Sequence, residues 1–357
     1  MLSPALFKLK NIRWLLFLLF LLFLNLMVMW LWANFLTLRY QRYLMYLGYL
    51  PIDSRSTVLL PKIRPPFKGN DDDNDNDLEQ NFNEQISTET LDNMVESFYI
   101  KSKDGTMLHV HFYKFPSDSR YSTIKDKKHK KKNKKKSPAS PTVLFFHGTS
   151  GNIGHRVGYA HTLSSLCQCN VMLMNCRGYG LSGGHAHSKG IREDSQAGLD
   201  YLIKREDVDE NSIFVLGQSM GGAIAIDLAM RNLGRIKGMI IDNTFTRIKD
   251  LVPEVMPPFS HLRDYLSEDW DSLGAIQGKE GDKDFPHSFF LLGEQDELIN
   301  SRNGKELYKA AVKSSESSKK EAKLLSFKYG YHVHTFKDPF YFDSISQFIN
   351  EVCNKKV

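Results

Sequence analysis

Two pentapeptides in this 357-residue chain, Gly217-Gln218-Ser219-Met220-Gly221 and Gly180-Leu181-Ser182-Gly183-Gly184, have the G-x-S-x-G form that can present a serine hydroxyl as a nucleophile. Such a serine cannot act alone. Its hydroxyl is weakly nucleophilic at its own pKa, so a neutral imidazole must take the proton during attack and an acid must orient that imidazole. Two backbone N–H groups must also face the oxyanion that develops. The segment KYGYHVHTF offers His332 and His334 as bases, and FFLLGEQDELI offers Asp296 just beyond an apolar run. Asp242, after GMII, is a rival acid. Met220, the residue following Ser219, supplies one oxyanion amide.

The flanking elements separate the two serines. A nucleophile of this kind needs a strand, a sharp turn and a helix, which push the hydroxyl out of the sheet edge with a helix N-terminus behind it. Ser219 follows the apolar run Ile213-Phe214-Val215-Leu216 and precedes GGAIAIDLAM, whose small residues permit close backbone packing. Ser182 lies seven residues beyond VMLMN and is followed by HAHSKG, which has no helical pattern. Ser219 is therefore the expected nucleophile and Ser182 a loop residue. His185 and His187 lack a third partner for a metal site.

From Thr142 onward short apolar runs alternate with helical stretches: TVLFF then VGYAHTLSSLC, VMLMN then IREDSQAGLDYLIK, IFVL then MGGAIAIDLAM. GMIID, a long irregular stretch, FFLLG with SRNGKELYKAAV, and AKLLSFKY with FYFDSISQFINEV complete the series. The pattern predicts an α/β fold, a mostly parallel sheet with helices on both faces. Ahead of it, ESFYIKS and MLHVHFYKF flank Lys103-Asp104-Gly105 and predict a β-hairpin.

Composition sets the remaining bounds. The net charge is +6, but KDKKHKKKNKKK at 125–136 holds nine lysines against one aspartate, and without it the rest carries about −2, so no nucleic-acid surface is implied. The Lys-rich insertion at 117–141 reads as a solvated loop, or as a lipid-attracted one. Cys167, Cys169, Cys176 and Cys353 fit neither a disulfide framework nor a metal site and read as free thiols. Residues 14–38, WLLFLLFLLFLNLMVMWLWANFLTL, carry no charge. As a helix they would span about 37 Å, more than a bilayer core of roughly 30 Å. They predict an uncleaved single-pass anchor, for no small-residue cleavage site follows. Trp30, Trp32, Tyr40, Tyr43, Tyr46 and Tyr49 suit the headgroup boundary. Lys8, Lys10 and Arg13 before the anchor, against Arg39 and Arg42 after it, tilt the amino-terminal tail (1–13) to the cytosolic side. The absence of any N-x-S/T acceptor argues the other way. Residues 39–94, with the acidic run DDDNDNDLEQ, read as a linker.

HGTSGNIGHR at 147–156, RGYGLSGG at 177–184, GQSMGG at 217–222 and DNTF at 242–245 resemble successive motifs of the α/β-hydrolase superfamily. They are most similar to those of its membrane-anchored group, typified by α/β hydrolase domain-containing protein 13 and the bud-emergence-related hydrolases. The resemblance covers about residues 95–352. It implies an α/β-hydrolase fold with a small cap at about 243–287, and it turns the rival Ser182 into part of a loop motif. The fold's chain order of serine, acid and histidine implies Asp296 as orienting acid and His332 as base, and the resemblance gives Thr149 as the second oxyanion donor. Relatives carry G-x-H-N-D where this chain has Gly330-Tyr331-His332-Val333-His334, so His334 replaces an acidic residue. His147 is expected to orient its loop and Asp242 to bond backbone amides beneath the cap. Val252, Val255, Met256, Phe259 and Leu262 either line an acyl pocket or pack the cap down.

The resulting expectation is a membrane-bound serine hydrolase, in an endomembrane or the plasma membrane, that cleaves an ester or thioester through an acyl-enzyme. Its substrate would be a lipid or a lipidated protein within reach of the anchor. The chemistry calls for no metal or organic cofactor. The competing expectation is a non-catalytic membrane scaffold that keeps the fold.

Overall fold

The computed structural model describes residues 4–55, 95–115 and 140–354. In chain order its elements are α1 (Pro4–Met45), β1 (Val95–Lys101), β2 (Met107–Tyr113), β3 (Thr142–Phe146), α2 (Val157–Cys167), β4 (Asn170–Met174), α3 (Ser188–Ile203) and β5 (Ile213–Gln218). There follow α4 (Met220–Arg231), β6 (Gly238–Asp242), α5 (Ile248–Val255), α6 (Ser272–Gln277), β7 (His287–Gly293), α7 (Arg302–Ser315), β8 (Ala322–Phe327) and α8 (Phe340–Asn354). The acidic run and nearly all of the Lys-rich insertion lie outside the described residues.

One sheet of eight strands runs in the order β1-β2-β4-β3-β5-β6-β7-β8. β2 is antiparallel to both of its neighbours, and the strands from β4 to β8 are parallel. Side chains alternate across the sheet, as a strand's period of two requires. Leu144 and Phe146 enter one core with Val215, Ile241, Leu199 and Leu307. Val143 and Phe145 enter the other with Leu216, Leu163, Phe348 and Val352. Both faces are thus covered by helices, which explains why β3, β4 and β5 are buried along their whole length.

The chain leaves β3 toward β4 on one side and returns to β5 on the other. This reversal opens a crevice at the carboxyl ends of β3 and β5, the place where open α/β sheets bind ligands.

Three segments differ from the expectation drawn from sequence. α1 runs well past the 25 apolar residues, and its last turns join the domain instead of starting a linker. Arg42 Nε donates to Glu268 at 2.7 Å, and Ser267 N–H donates to Gln41. Residues 39–55 lack a local period because distant residues hold them. Secondly, HAHSKG opens a helix: the His187 ring nitrogen accepts the Gly190 N–H at 3.0 Å and caps α3. Thirdly, the stretch between β6 and β7 divides. Ile248–Val255 and Pro257–Tyr265 form short surface helices, whereas Trp270, Ile276 and Phe285 are core residues of the main body.

Candidate active site

Ser219 sits at the hinge between β5 and α4 with φ +55° and ψ −123°, a backbone conformation that L-residues avoid. The surrounding glycines are required by close approach. A Cβ on Gly217 would lie 2.1 Å from the Gly221 carbonyl oxygen, one on Gly221 would lie 2.0 Å from that of Phe146, and one on Gly222 would meet Thr244 at 2.6 Å. The turn is held by three further bonds. Ser219 N–H donates to the Asp242 carbonyl at 2.9 Å, Gly222 N–H to the Ser219 carbonyl at 2.8 Å, and the Thr244 hydroxyl to that same carbonyl at 2.6 Å.

Residues from three separate loops meet here. Ser219 Oγ lies 3.0 Å from His332 Nε2, and His332 Nδ1 lies 2.8 Å from Asp296 Oδ2. All three side chains are buried, Asp296 to within 1% exposure. Asp296 Oδ1 accepts the N–H groups of Leu298 at 2.9 Å and Ile299 at 2.7 Å, leaving Oδ2 for the imidazole. A carboxylate only accepts, so in this arrangement Nδ1 is the donor toward Asp296 and Nε2 faces the serine hydroxyl. The Glu297 carboxylate accepts the His332 backbone N–H at 3.0 Å, and this bond holds its pKa below the usual range.

The other candidates fall elsewhere. His334 is exposed, its ring beside Phe336. Ser182 is buried, donating to the Asn175 carbonyl at 2.7 Å and accepting the His109 N–H at 2.8 Å. Asp242 lies under the site, but its carboxyl does not bond backbone amides. Oδ2 accepts from Tyr341 Oη at 2.9 Å and Gln218 Nε2 at 3.4 Å, and burial pushes its pKa up to about 7. The physical reason is register: Asp242 pairs with Gln218 across the sheet, so its side chain points to the α8 face.

Met220 begins α4, and Thr149 is half-buried in the loop after β3. That loop approaches the serine closely, since a Cβ on Gly148 would stand 3.4 Å from Ser219 Cβ. His147 Nδ1–H donates to the Gly148 carbonyl at 2.8 Å, and burial pushes the ring's pKa down to about 4, so it is a neutral loop brace. No cluster of three His, Cys, Asp or Glu able to hold a metal occurs among the described residues. Cys167, Cys169, Cys176 and Cys353 are free, and burial pushes Cys167 up to about 12.

Two residues were missed at the sequence level. Asn243, with φ +47°, joins the end of β7 to the loop that carries His332. Its Oδ1 accepts Gly293 N–H at 2.7 Å, and its Nδ2 donates to the His332 carbonyl at 3.1 Å and to Thr335 Oγ1 at 2.8 Å. Its position after a strand, and asparagine's tolerance of positive φ, were the available signals. The second is Tyr46, read as a headgroup residue but only 4% exposed. It lines a cavity of about 10 Å³ with Gly148, Met220, Ile191 and Ile224, and the cap residues do not contribute. Val255 is exposed and Leu262 is buried.

A family profile described as serine aminopeptidase, S33, matches residues 137–284. The α/β hydrolase domain-containing protein WAV2 of Arabidopsis thaliana is 30% identical over 264 residues, 70% of this chain and 76% of its own. The chain belongs to the α/β-hydrolase family. Protein bem46 of Schizosaccharomyces pombe, 41% identical over 165 residues, is matched over 46% of this chain and 54% of its own length. This bears out the resemblance drawn from the motifs. An uncharacterized membrane protein of Saccharomyces cerevisiae is 26% identical over 213 residues, 60% of this chain and 72% of its own. Among solved structures, an α/β hydrolase from Vibrio vulnificus superposes with a TM-score of 0.57 at 17% identity, covering 86% of this chain and 92% of that one. A Pyrococcus furiosus esterase does so with 0.54 at 16%, covering 81% and 99%. At these identities the two structures speak for the α/β-hydrolase fold.

Proposed function

We propose that this α/β hydrolase is a membrane-anchored serine hydrolase that cleaves a carboxylic ester or thioester through an acyl-enzyme on Ser219. The observation that carries this reading is the line of contacts from Ser219 Oγ through His332 to Asp296, at 3.0 and 2.8 Å. Ser219 Oγ attacks the carbonyl carbon as its proton passes to His332 Nε2, and the Met220 and Thr149 amides hold the resulting oxyanion. Collapse breaks the bond to the leaving alcohol or thiol, which takes the proton from Nε2. Water then attacks the acyl-enzyme, gives its proton to Nε2, and Ser219 recovers it as the acid leaves. Asp296 keeps the imidazole in the required tautomer throughout.

α1 supplies the anchor in this reading, for Leu18–Met45 is long and apolar enough to cross a bilayer and its side chains from Leu18 to Leu31 are exposed. The basic residues ahead of it favour a cytosolic amino terminus in this reading, against the absence of N-x-S/T acceptors. The test is a fluorophosphonate probe applied to full-length protein in detergent. Labelling of the wild type and none of Ser219→Ala is the expected result; folded wild type that resists labelling would establish the scaffold alternative.

A further inference from the structure

We infer that Tyr46, at the end of the anchor helix, closes the acyl pocket and restricts the enzyme to short acyl groups, acetyl above all. The inference rests on Ser219 being the nucleophile. The cavity is lined by Gly148 and Met220, which both lie next to the serine, and by Tyr46. Its side walls include Ile191, Ile224 and Tyr179, so it suits a hydrocarbon and repels a charge. At about 10 Å³ it holds one group the size of a water or a methyl. An acetyl methyl fits that space, and a longer chain meets the Tyr46 ring.

The ring is held in place from several directions. Tyr46 Oη donates to the buried Glu268 carboxylate at 2.9 Å and accepts from Trp270 Nε1 at 2.8 Å. Glu268 also accepts the Arg42 guanidinium at 2.7 Å and the Ser188 N–H at 2.5 Å. The residues after Tyr46 then strap across the site. Gly48 touches the Gly178 carbonyl so closely that a Cβ would stand 2.4 Å from it. The Leu50 carbonyl accepts the Gly151 N–H at 2.7 Å, and the Ser54 carbonyl accepts Asn152 Nδ2 at 2.8 Å. Gly151 and Asn152 belong to the loop that carries Thr149. One strap from the anchor therefore sets the pocket's end wall and braces the loop beside the serine, so acyl-length selection is built into the membrane attachment.

The test measures kcat/KM of full-length protein for p-nitrophenyl acetate, butyrate and hexanoate. Wild type is expected to prefer acetate. Tyr46→Ala should shift the hexanoate-to-acetate ratio upward by about fourfold per added methylene, the worth of burying each one, or on the order of a hundredfold in all. Tyr46→Phe keeps the ring and should keep the wild-type ranking. Ile191→Ala opens the same pocket without touching the Glu268 contacts, and should shift the ratio in the same direction even where Tyr46→Ala proves too unstable to assay. Wild type that takes hexanoate as readily as acetate overturns the inference, as does an unchanged ranking in the pocket variants. Labelled wild type with unchanged ranking refutes only the pocket assignment, whereas wild type that resists the fluorophosphonate refutes the nucleophile and the pocket with it.

Discussion

Replacing Asp296 by Asn changes one atom and should nearly abolish turnover. The reason lies in what already faces the side chain. Oδ1 accepts two backbone N–H groups, from Leu298 and Ile299, while Oδ2 faces a single donor, His332 Nδ1. An asparagine must place its one oxygen somewhere. Turned toward the amides it satisfies two donors; turned toward the histidine it satisfies one and sets N–H against N–H twice. The amide NH₂ therefore points at His332, becomes a donor there, and forces Nδ1 into the acceptor tautomer. The ring proton moves to Nε2, 3.0 Å from Ser219 Oγ, where it blocks the transfer that attack requires. A wrong-tautomer lesion of this type costs about 10⁴ in kcat, close to 5.4 kcal/mol of barrier. Turnover of p-nitrophenyl acetate, the rate of fluorophosphonate labelling and a thermal melt would be measured together on full-length protein. The expected result is a loss of about four orders of magnitude in both rates, with a melt near that of wild type because the two amides keep their acceptor. Retention of more than about a hundredth of wild-type activity would refute the tautomer argument and reopen Asp242 as the acid.

Ser219 is strained at φ +55°, so Ser219→Gly should melt higher than Ser219→Ala, by about 1 kcal/mol of stability, although both are inactive. Equal melting points would show that the elbow stores no strain. For Asp242, burial raises the folded pKa to about 7 from 3.8, so between these values the folded protein holds the additional proton. That contribution is complete below about pH 3.8 and is lost as the pH rises through about 7. The groups facing the carboxyl, Tyr341, Gln218, His332 and Asp296, remain in Asp242→Asn, so the difference between the two melting curves isolates this group. Wild type should lose melting temperature relative to the variant from about pH 4 to about pH 7; parallel curves would contradict the shift.

Much of the fold was legible because its causes are local. TVLFF, VMLMN and IFVL are strands buried on both faces and read as continuous apolar runs, and the Asp104-Gly105 turn announces its hairpin through a glycine at φ +90°. The glycines around Ser219 mark the elbow because their neighbours leave no room for a Cβ. The reading of residues 39–55 as linker did not survive, because Arg42 and Tyr46 are held by Glu268, more than two hundred residues away. Tyr46 beside Tyr43 and Tyr49 has the pattern of an interfacial aromatic belt, and nothing in that pattern distinguishes the ring that turns inward. His187 was passed over as a helix start because histidine is an uncommon cap.

The residue types of the candidate site, and the strand-turn-helix that presents Ser219, were determined by the sequence itself, since they depend on neighbours within a few positions. Which partners reach the serine was decided by the tertiary structure. His332 and His334 are two residues apart, yet only one ring faces the crevice, because the loop after β8 is tied through Asn243 to the end of β7. Ser219 and His332 are separated by 113 residues and His332 and Asp296 by 36, and a parallel sheet brings them together by ending all of its strands at one edge. The Tyr46 ring comes from further still, from the residue that follows a long apolar helix and turns into the protein where its neighbours Tyr43 and Leu44 stay exposed.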